Sequence, residues 1–267
     1  MIRLVGIDVD GTLLGASGEV HPQVWEAAQE ARERGIHLAL CSGRPAFGLA
    51  LQYARQLETD GWHAFQNGAS IVHLATGESR SMPLPPLWVK SVVAEARATG
   101  NVLELYNDRE FVVESTAAWA EEHAKLLGVD FRPRPFETLT QPIVRAQWLL
   151  TSAQAAKIMS VPHPGLEVAQ STSPLMPDTQ FVGLTHEGVS KASAMRTIAG
   201  QYGVTLRDVM YIGDSGNDLS ALGVVGHPVA MANADPAVLK AATLTVPHVD
   251  EGGVAQALQV AIGTASC

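Results

Sequence analysis

IRLVGIDVDGT, residues 2–12, is a short apolar run that ends in an acidic loop. The run predicts a buried strand over residues 2–9, with a loop at its carboxyl end. In open parallel sheets, ligands bind beyond the carboxyl ends of the strands. Asp8 and Asp10 therefore stand where a ligand is expected, and with Thr12 they can offer oxygen ligands to a hard cation. Taken alone, this loop is equally compatible with a plain turn, because Asp-Gly is a common turn dipeptide.

Helix and strand signals alternate in the residues that follow. Pro22 opens a predicted helix, and Gly35 ends it. The apolar run at 36–41 (IHLALC) predicts a second buried strand, and another helix is predicted from about Ala46 to Leu57. Strand, helix, strand, helix in this order indicates a parallel sheet with crossover connections.

The middle of the chain has a different pattern. A proline-rich stretch at 79–86 (SRSMPLPP) is typical of a linker. Beyond it, residues 102–106 and 110–114 alternate around a short polar turn, which predicts a hairpin rather than a crossover unit. The parallel pattern resumes near Gly188 and includes a buried strand over 209–212.

These patterns predict an α/β fold in which one domain interrupts another. A Rossmann-like parallel-sheet core is expected from residues 1–82 and 185–267, because crossover units occur on both sides of the interruption. An inserted α+β domain is expected from residues 83–184, where hairpin and helix signals are mixed. Domains usually meet at exposed linkers, and the proline-rich stretch lies at the first of these boundaries.

The amino-acid composition argues against some classes of binding partner. The chain has 267 residues, 46% of them hydrophobic, and a formal net charge of -9. That acidity argues against a nucleic-acid partner, since binding a phosphate backbone needs a basic face. The apolar runs are too short to cross a bilayer, and the N-terminal residues do not resemble a signal peptide. Cys41 and Cys267 cannot form a disulfide framework, so we expect a cytoplasmic protein.

Four further polar stretches are expected at the same edge of the sheet. Each follows a predicted strand or begins a predicted helix, where backbone N–H groups also favour an anion. Their polar positions are Ser42 and Gly43, Asn67 and Gly68, Lys191, and the group Asp214, Asn217 and Asp218. Crowding so many carboxylates on one rim is unfavourable without a cation. The pattern therefore predicts a site for a divalent metal and a phosphoryl group.

The same stretches resemble the motifs of haloacid dehalogenase-superfamily phosphatases, in particular the Cof-like group. DVDGTLL at 8–14 is similar to their first motif, and CSGRP at 41–45 is similar to their second. GVSK at 188–191 is similar to the third, and GDSGND at 213–218 to the fourth. The resemblance covers nearly the whole chain in the family's order. The long interval between the second and third motifs leaves room for the large α/β cap of this group.

The resemblance implies a magnesium-dependent phosphomonoester hydrolase. Asp8 would be the nucleophile that forms an aspartyl-phosphate, and Asp10 would be the acid and base. Mg²⁺ would be held by the Asp8 side chain, the Asp10 backbone carbonyl and Asp214, and Asp218 would orient a water from behind. The residues that would hold the phosphoryl oxygens are Thr12, Ser42, Gly43, Lys191 and Asn217.

Three alternatives stay open. A phosphomutase of the same superfamily would need a different cap and a means of retaining the intermediate. A phospho-accepting signalling module would be much shorter and would have no inserted domain. A metabolite-binding protein that had lost its chemistry would have gaps among the catalytic positions. The expected substrate is a small phosphorylated metabolite, with a sugar phosphate as the leading class, and the sequence does not predict an oligomeric state.

Overall fold

The computed structural model describes residues 1–173 and 175–265, so Cys267 lies outside the described residues. Its contacts divide the chain into two compact units, each continuous in space but not in sequence. The first unit comprises Met1–Arg44, Ala50–Arg80 and the residues from Ser190 onward, and the second comprises Pro45–Leu49 and Ser81–Val189. The domain assignment made from the sequence, with boundaries after residues 82 and 184, stays a prediction.

A five-stranded parallel sheet forms the centre of the first unit. In spatial order its strands are β12 (Leu244–Val246), β11 (His227–Met231), β10 (Val209–Gly213), β1 (Leu4–Ile7) and β2 (His37–Leu40). Every residue of β1 and β10 is buried. Strands covered by helices on both faces are apolar throughout, which is why the sequence shows continuous apolar runs here rather than alternation.

Helices and a small hairpin complete the first unit. The helices that lie wholly or mostly in it are α1 (Pro22–Glu33), α2 (Gly48–Leu57), α6 (Lys191–Gln201), α7 (Leu219–Leu222), α8 (Pro236–Ala241) and α9 (Gly253–Ala265). The hairpin pairs β3 (Trp62–Phe65) with β4 (Ser70–His73). Helix α1 buries Val24, Ala27, Ala28 and Ala31, a spacing that places them on one face, and it packs against α9.

The second unit is an antiparallel sheet with helices. In spatial order its strands are β6 (Phe111–Val113), β5 (Val102–Tyr106), β7 (Arg145–Leu150), β9 (Met176–His186) and β8 (Leu166–Ser173). Its helices are α3 (Pro86–Thr99), α4 (Ala118–Leu127) and α5 (Ser152–Met159). Leu103 and Leu105, alternate residues of β5, pack with Trp148 of β7 in one hydrophobic core of this unit.

The predicted α/β fold class is confirmed, as is the hairpin formed by β5 and β6. The long pair β8 and β9 was not predicted, because the mostly exposed sequence of β8, LEVAQSTS, has no clear alternation of apolar and polar residues. In the described part of the chain, no helix is both long enough and apolar enough to cross a bilayer.

Candidate active site

The parallel sheet brings the first and fourth acidic loops together. β1 and β10 are neighbours, and their register pairs Ile7 with Ile212. Both strands therefore end at the same level, and the backbone N–H of Asp8 donates to the carbonyl of Ile212 at 3.1 Å. This register places Asp8 beside the loop that carries Asp214 and Asp218.

Lys191 joins two of these carboxylates from the start of α6. Ser190 caps the helix, because its hydroxyl accepts from the backbone N–H of Ser193. The ammonium Nζ of Lys191 lies 2.6 Å from an oxygen of Asp8 and 2.6 Å from an oxygen of Asp218. Lys191 is only 1% exposed, so this is a buried charge that stands between two buried carboxylates.

Asp218 receives donors at both of its oxygens. Oδ1 accepts from Lys191 and from the hydroxyl of Tyr211 at 2.7 Å. Oδ2 accepts from the backbone N–H groups of Asp214 and Ser215, each at 3.1 Å. With its lone pairs engaged in this way, Asp218 is suited to holding the lysine and the loop in place. The sequence pattern places Tyr211 only within a buried strand, although a buried tyrosine usually needs a partner for its hydroxyl.

Asp214 lies against the first loop. Its Oδ1 accepts from the hydroxyl of Thr12 at 3.1 Å. Gly11 has a φ of +80°, and a Cβ built there would lie 2.1 Å from Oδ2 of Asp214. A glycine is therefore required at this position to let the carboxylate approach the loop. Ligand oxygens of Asp8, Asp214 and Asp218 all lie within 4.8 Å of one another, close enough to hold one metal ion.

Burial and crowding raise the proton affinity of these carboxylates. Burial raises the pKa of Asp8 to about 8; the Lys191 charge opposes this shift and the Asp218 charge adds to it. Burial, followed by the Asp218 charge, raises the pKa of Asp214 to about 6. Three carboxylates face one ammonium here, so a divalent cation would offset the excess negative charge and lower both pKa values. Hard carboxylate oxygens are also the donors that Mg²⁺ prefers.

Asp10 lies apart from this group. Its carboxylate is 59% exposed and accepts from Arg44, with Nη2 to Oδ1 at 2.6 Å and Nε to Oδ2 at 3.0 Å. Among the described residues, the carboxylate of Asp10 does not join the three clustered ones. The predicted metal contact of Asp10 concerns its backbone carbonyl, so that contact stays a prediction.

The other predicted phosphate-binding residues occupy the loops around this group. Ser42 is buried, and its hydroxyl accepts from the backbone N–H of Arg44 at 3.0 Å. A Cβ built on Gly43 would lie 3.3 Å from the side chain of Asn67. Asn217 donates to that same side chain at 3.3 Å. The hydroxyl of Thr12 is directed to Asp214, so binding a phosphoryl oxygen through this hydroxyl would require it to leave that hydrogen bond.

Gly11→Ala tests whether the close approach of Asp214 matters. We expect kcat/KM to fall by about 100-fold or more, because the new methyl group must displace the carboxylate by more than about 1 Å. Gly18→Ala is the matched control: Gly18 has a similar φ of +77°, but a Cβ there meets nothing within 4 Å. Both substitutions strain the backbone, and only the first moves a site residue. Equal losses of activity in the two variants would show that Asp214 is not needed where it lies.

Comparison with known proteins identifies the family to which this chain belongs. A family model described as haloacid dehalogenase-like hydrolase matches residues 5–258. The Bacillus subtilis protein named "Putative phosphatase YxeH" is 29% identical, over 97% of this chain and 97% of that relative. The phosphoglycolate phosphatase of Methanothermobacter thermautotrophicus is 25% identical, over 98% of this chain and 100% of that relative.

A solved structure shows the same likeness. The crystal structure of a haloacid dehalogenase-like hydrolase from Bacteroides thetaiotaomicron superposes with a TM-score of 0.84 and is 28% identical in sequence. The match covers 97% of this chain and 99% of the other. Since both chains are matched almost end to end, the likeness extends to both units.

Proposed function

Because the chain belongs to the haloacid dehalogenase-like hydrolase family and is a phosphatase of it, we propose that it hydrolyses small phosphomonoesters with Mg²⁺ through an aspartyl-phosphate on Asp8. One observation carries this proposal. The ammonium of Lys191 lies 2.6 Å from an oxygen of Asp8 and 2.6 Å from an oxygen of Asp218. Carboxylate oxygens of Asp8, Asp214 and Asp218 also lie within 4.8 Å of one another, close enough to bind one metal ion. This is a compact arrangement of a nucleophile, a cation-binding group and a fixed positive charge.

Asp8 is the proposed nucleophile because of its surroundings. In the proposed step, one carboxylate oxygen of Asp8 attacks phosphorus, the bond from phosphorus to the leaving oxygen breaks, and the phosphoryl group is carried on Asp8 until water attacks it. Lys191 holds the other oxygen of Asp8, which fixes the direction of attack. A bound Mg²⁺ would be held by Asp8 and Asp214, and it would supply positive charge to the phosphoryl oxygens.

Asp10 is proposed to protonate the leaving oxygen and then to take a proton from the attacking water. Its pair with Arg44 has a consequence for this role. Both oxygens of the Asp10 carboxylate accept from Arg44, so Asp10 must separate from Arg44 before it can reach a leaving oxygen. The exposed position of Asp10 leaves room for that movement.

Asp10→Asn tests this role separately from metal binding. We expect kcat to fall by about 100- to 10,000-fold, since an amide can neither donate nor accept the proton. Affinity for Mg²⁺ should stay within about twofold of the wild type, because the proposed contact uses the backbone carbonyl. Calorimetric titration with Mg²⁺ and a rate assay on p-nitrophenyl phosphate measure the two quantities. A rate close to that of the wild type would remove Asp10 from the mechanism.

The substrate is proposed to be a small phosphorylated metabolite, with a sugar phosphate as the leading class. The relatives support only the broad class, since their names include a phosphoglycolate phosphatase and a 5-amino-6-(5-phospho-D-ribitylamino)uracil phosphatase. We also propose that the protein acts in the cytoplasm, where such metabolites occur, and that residues 83–184 form a cap domain that selects among them.

A panel of phosphorylated metabolites, assayed for phosphate release with and without Mg²⁺, tests the proposed function. We expect several members to be hydrolysed only with the metal, with sugar phosphates highest in kcat/KM. Transfer of the phosphoryl group within a sugar, without release of phosphate, would indicate a mutase instead. Labelling of the protein without turnover would indicate a phospho-accepting module.

A further inference from the structure

Asn67 lies at a junction of three loops of the site. Its backbone N–H donates to the carbonyl of Ser42 at 2.9 Å. Its side chain accepts from Asn217 in the fourth motif. The following residue, Gly68, lies so close to the carbonyl of Ser190 that a Cβ there would be 2.5 Å away. Asn67 is therefore in contact with the second and fourth motifs, and Gly68 lies against Ser190, the N-cap residue of helix α6.

The backbone of this turn is unusual. Gln66 has a φ of +53° and Asn67 a φ of +56°, and they are the only non-glycine residues with a positive φ among the described residues. This region of φ is disfavoured for residues with a Cβ, and such outliers collect at functional sites. A glycine would adopt the same conformation without strain. The presence of asparagine at position 67 therefore calls for a reason that involves its side chain.

The side chain of Asn67 forms a pair of amides with Asn217. Nδ2 of Asn217 donates to Oδ1 of Asn67 at 3.3 Å, and Oδ1 of Asn217 accepts from the hydroxyl of Ser215 at 2.9 Å. The orientation of Asn217 is thus held from both ends. Each amide nitrogen has two N–H groups. One N–H of Asn217 is used in this pair, and within the described part of the chain the amide nitrogen of Asn67 makes no hydrogen bond.

We propose that Asn67 is a further phosphate-binding residue, which donates to a phosphoryl oxygen and holds Asn217 in position to do the same. The inference rests on the proposed phosphatase function. Neutral amide donors suit this position, because the nearby carboxylates repel a phosphate and a fixed donor can stabilise the charge that spreads over its oxygens. The strained turn is what directs the amide of Asn67 towards Asn217, between the loops that follow β2 and β10.

Asn67→Gly separates this role from a purely structural one. Glycine retains the left-handed backbone and removes only the amide. If Asn67 served only the turn, the variant would be as active as the wild type. We expect its melting temperature to equal or exceed that of the wild type, while kcat/KM for p-nitrophenyl phosphate falls by about 100-fold. A folded variant with wild-type kcat/KM would overturn the inference.

Asn67→Asp provides a second test. Aspartate keeps an acceptor for Asn217 but replaces the donors by negative charge, so its kcat/KM should fall below that of the glycine variant. An aspartate variant as active as the glycine variant, or more active, would count against donation to phosphate. In a double-mutant cycle with Asn217→Ala, the combined loss should be smaller than the sum of the two single losses, because each amide depends on the other. Full additivity would contradict the amide pair.

Binding of inorganic phosphate tests Asn67 without relying on turnover. In calorimetry with Mg²⁺ present, the dissociation constant for phosphate should rise by about tenfold in Asn67→Gly, which corresponds to one hydrogen bond to a charged group. Equal affinities in the variant and the wild type would overturn the inference even if the wild-type protein is an active phosphatase. A wild type that binds phosphate through Asn67 but hydrolyses no phosphomonoester would instead overturn the proposed function.

Discussion

Replacing Asp8 by Asn is expected to abolish turnover, with kcat lower by about 10,000-fold or more. The amide is a poor nucleophile, so the first bond to phosphorus would not form. The protein should stay folded, because burial already raises the pKa of Asp8 and a neutral side chain of the same shape suits its surroundings. Phosphate release from p-nitrophenyl phosphate measures the rate, and thermal denaturation measures the fold.

Asp178→Asn is the matched control for this substitution. Asp178 is exposed and lies in strand β9 of the second unit, and it has no place in the proposed mechanism. Asp178→Asn makes the same chemical change outside the proposed site, so the rate of this variant should equal that of the wild type. If the Asp8 variant kept even a tenth of the wild-type rate, Asp8 could not be the nucleophile.

Lys191→Met is expected to lower both stability and activity. Methionine fills a similar volume but leaves Asp8 and Asp218 without the ammonium that lies 2.6 Å from each. Removing one partner of a buried ion pair lowers the free energy of unfolding by about 3–5 kcal/mol. Urea denaturation of the metal-free protein measures this loss, and kcat should become undetectable because Asp8, the proposed nucleophile, is no longer held.

The stability loss of Lys191→Met should depend on pH. A carboxyl group whose pKa is raised in the folded state lowers the stability of that state as the pH rises above the unfolded pKa, and this loss levels off once the pH exceeds the raised pKa. The pKa of Asp8 is about 8 with the lysine present, and losing the ammonium raises it further. The part of the stability loss that comes from Asp8 should therefore be small below about pH 8, where Asp8 is protonated in both folded proteins, and should grow as the pH rises above that value, where only the wild type holds the ionised carboxylate beside an ammonium.

A surface ion pair supplies the control for this experiment. Lys125 lies 2.9 Å from Glu121 on the exposed face of α4. Exposed pairs of this kind contribute about 0.3–0.5 kcal/mol, so Lys125→Met should change the free energy of unfolding by less than about 1 kcal/mol. If Lys191→Met were no more destabilising than Lys125→Met, then Lys191 would not compensate the buried carboxylates.

The sequence was sufficient to predict the family and the parallel core. The resemblance to Cof-like phosphatases is confirmed by the match over residues 5–258. The acidic loops could be expected at one edge because parallel strands end at the same side of a sheet, and the register of β1 and β10 does place Asp8 beside Asp214. Sequence reasoning of this kind works where one rule of topology governs many residues.

Individual side-chain partners were beyond such reasoning. The pair of Arg44 with Asp10 depends on the conformations of two side chains, which no spacing in the sequence specifies. Tyr211 reaches Asp218 because Gly6, its register partner on β1, leaves space: a Cβ on Gly6 would lie 2.8 Å from the Tyr211 ring. The contact between Tyr211 and Asp218 thus depends on a glycine and a tyrosine that lie opposite each other on adjacent strands.

Acid quenching during turnover tests the central claim most directly. A phosphorylated substrate is mixed with the enzyme and Mg²⁺, the reaction is stopped in acid, and peptides are mapped by mass spectrometry. We expect one added phosphoryl group, on Asp8, in a peptide that is unmodified when Mg²⁺ is omitted. A phosphoryl group found on another residue, or turnover at the full rate with no modified peptide at any time, would contradict it.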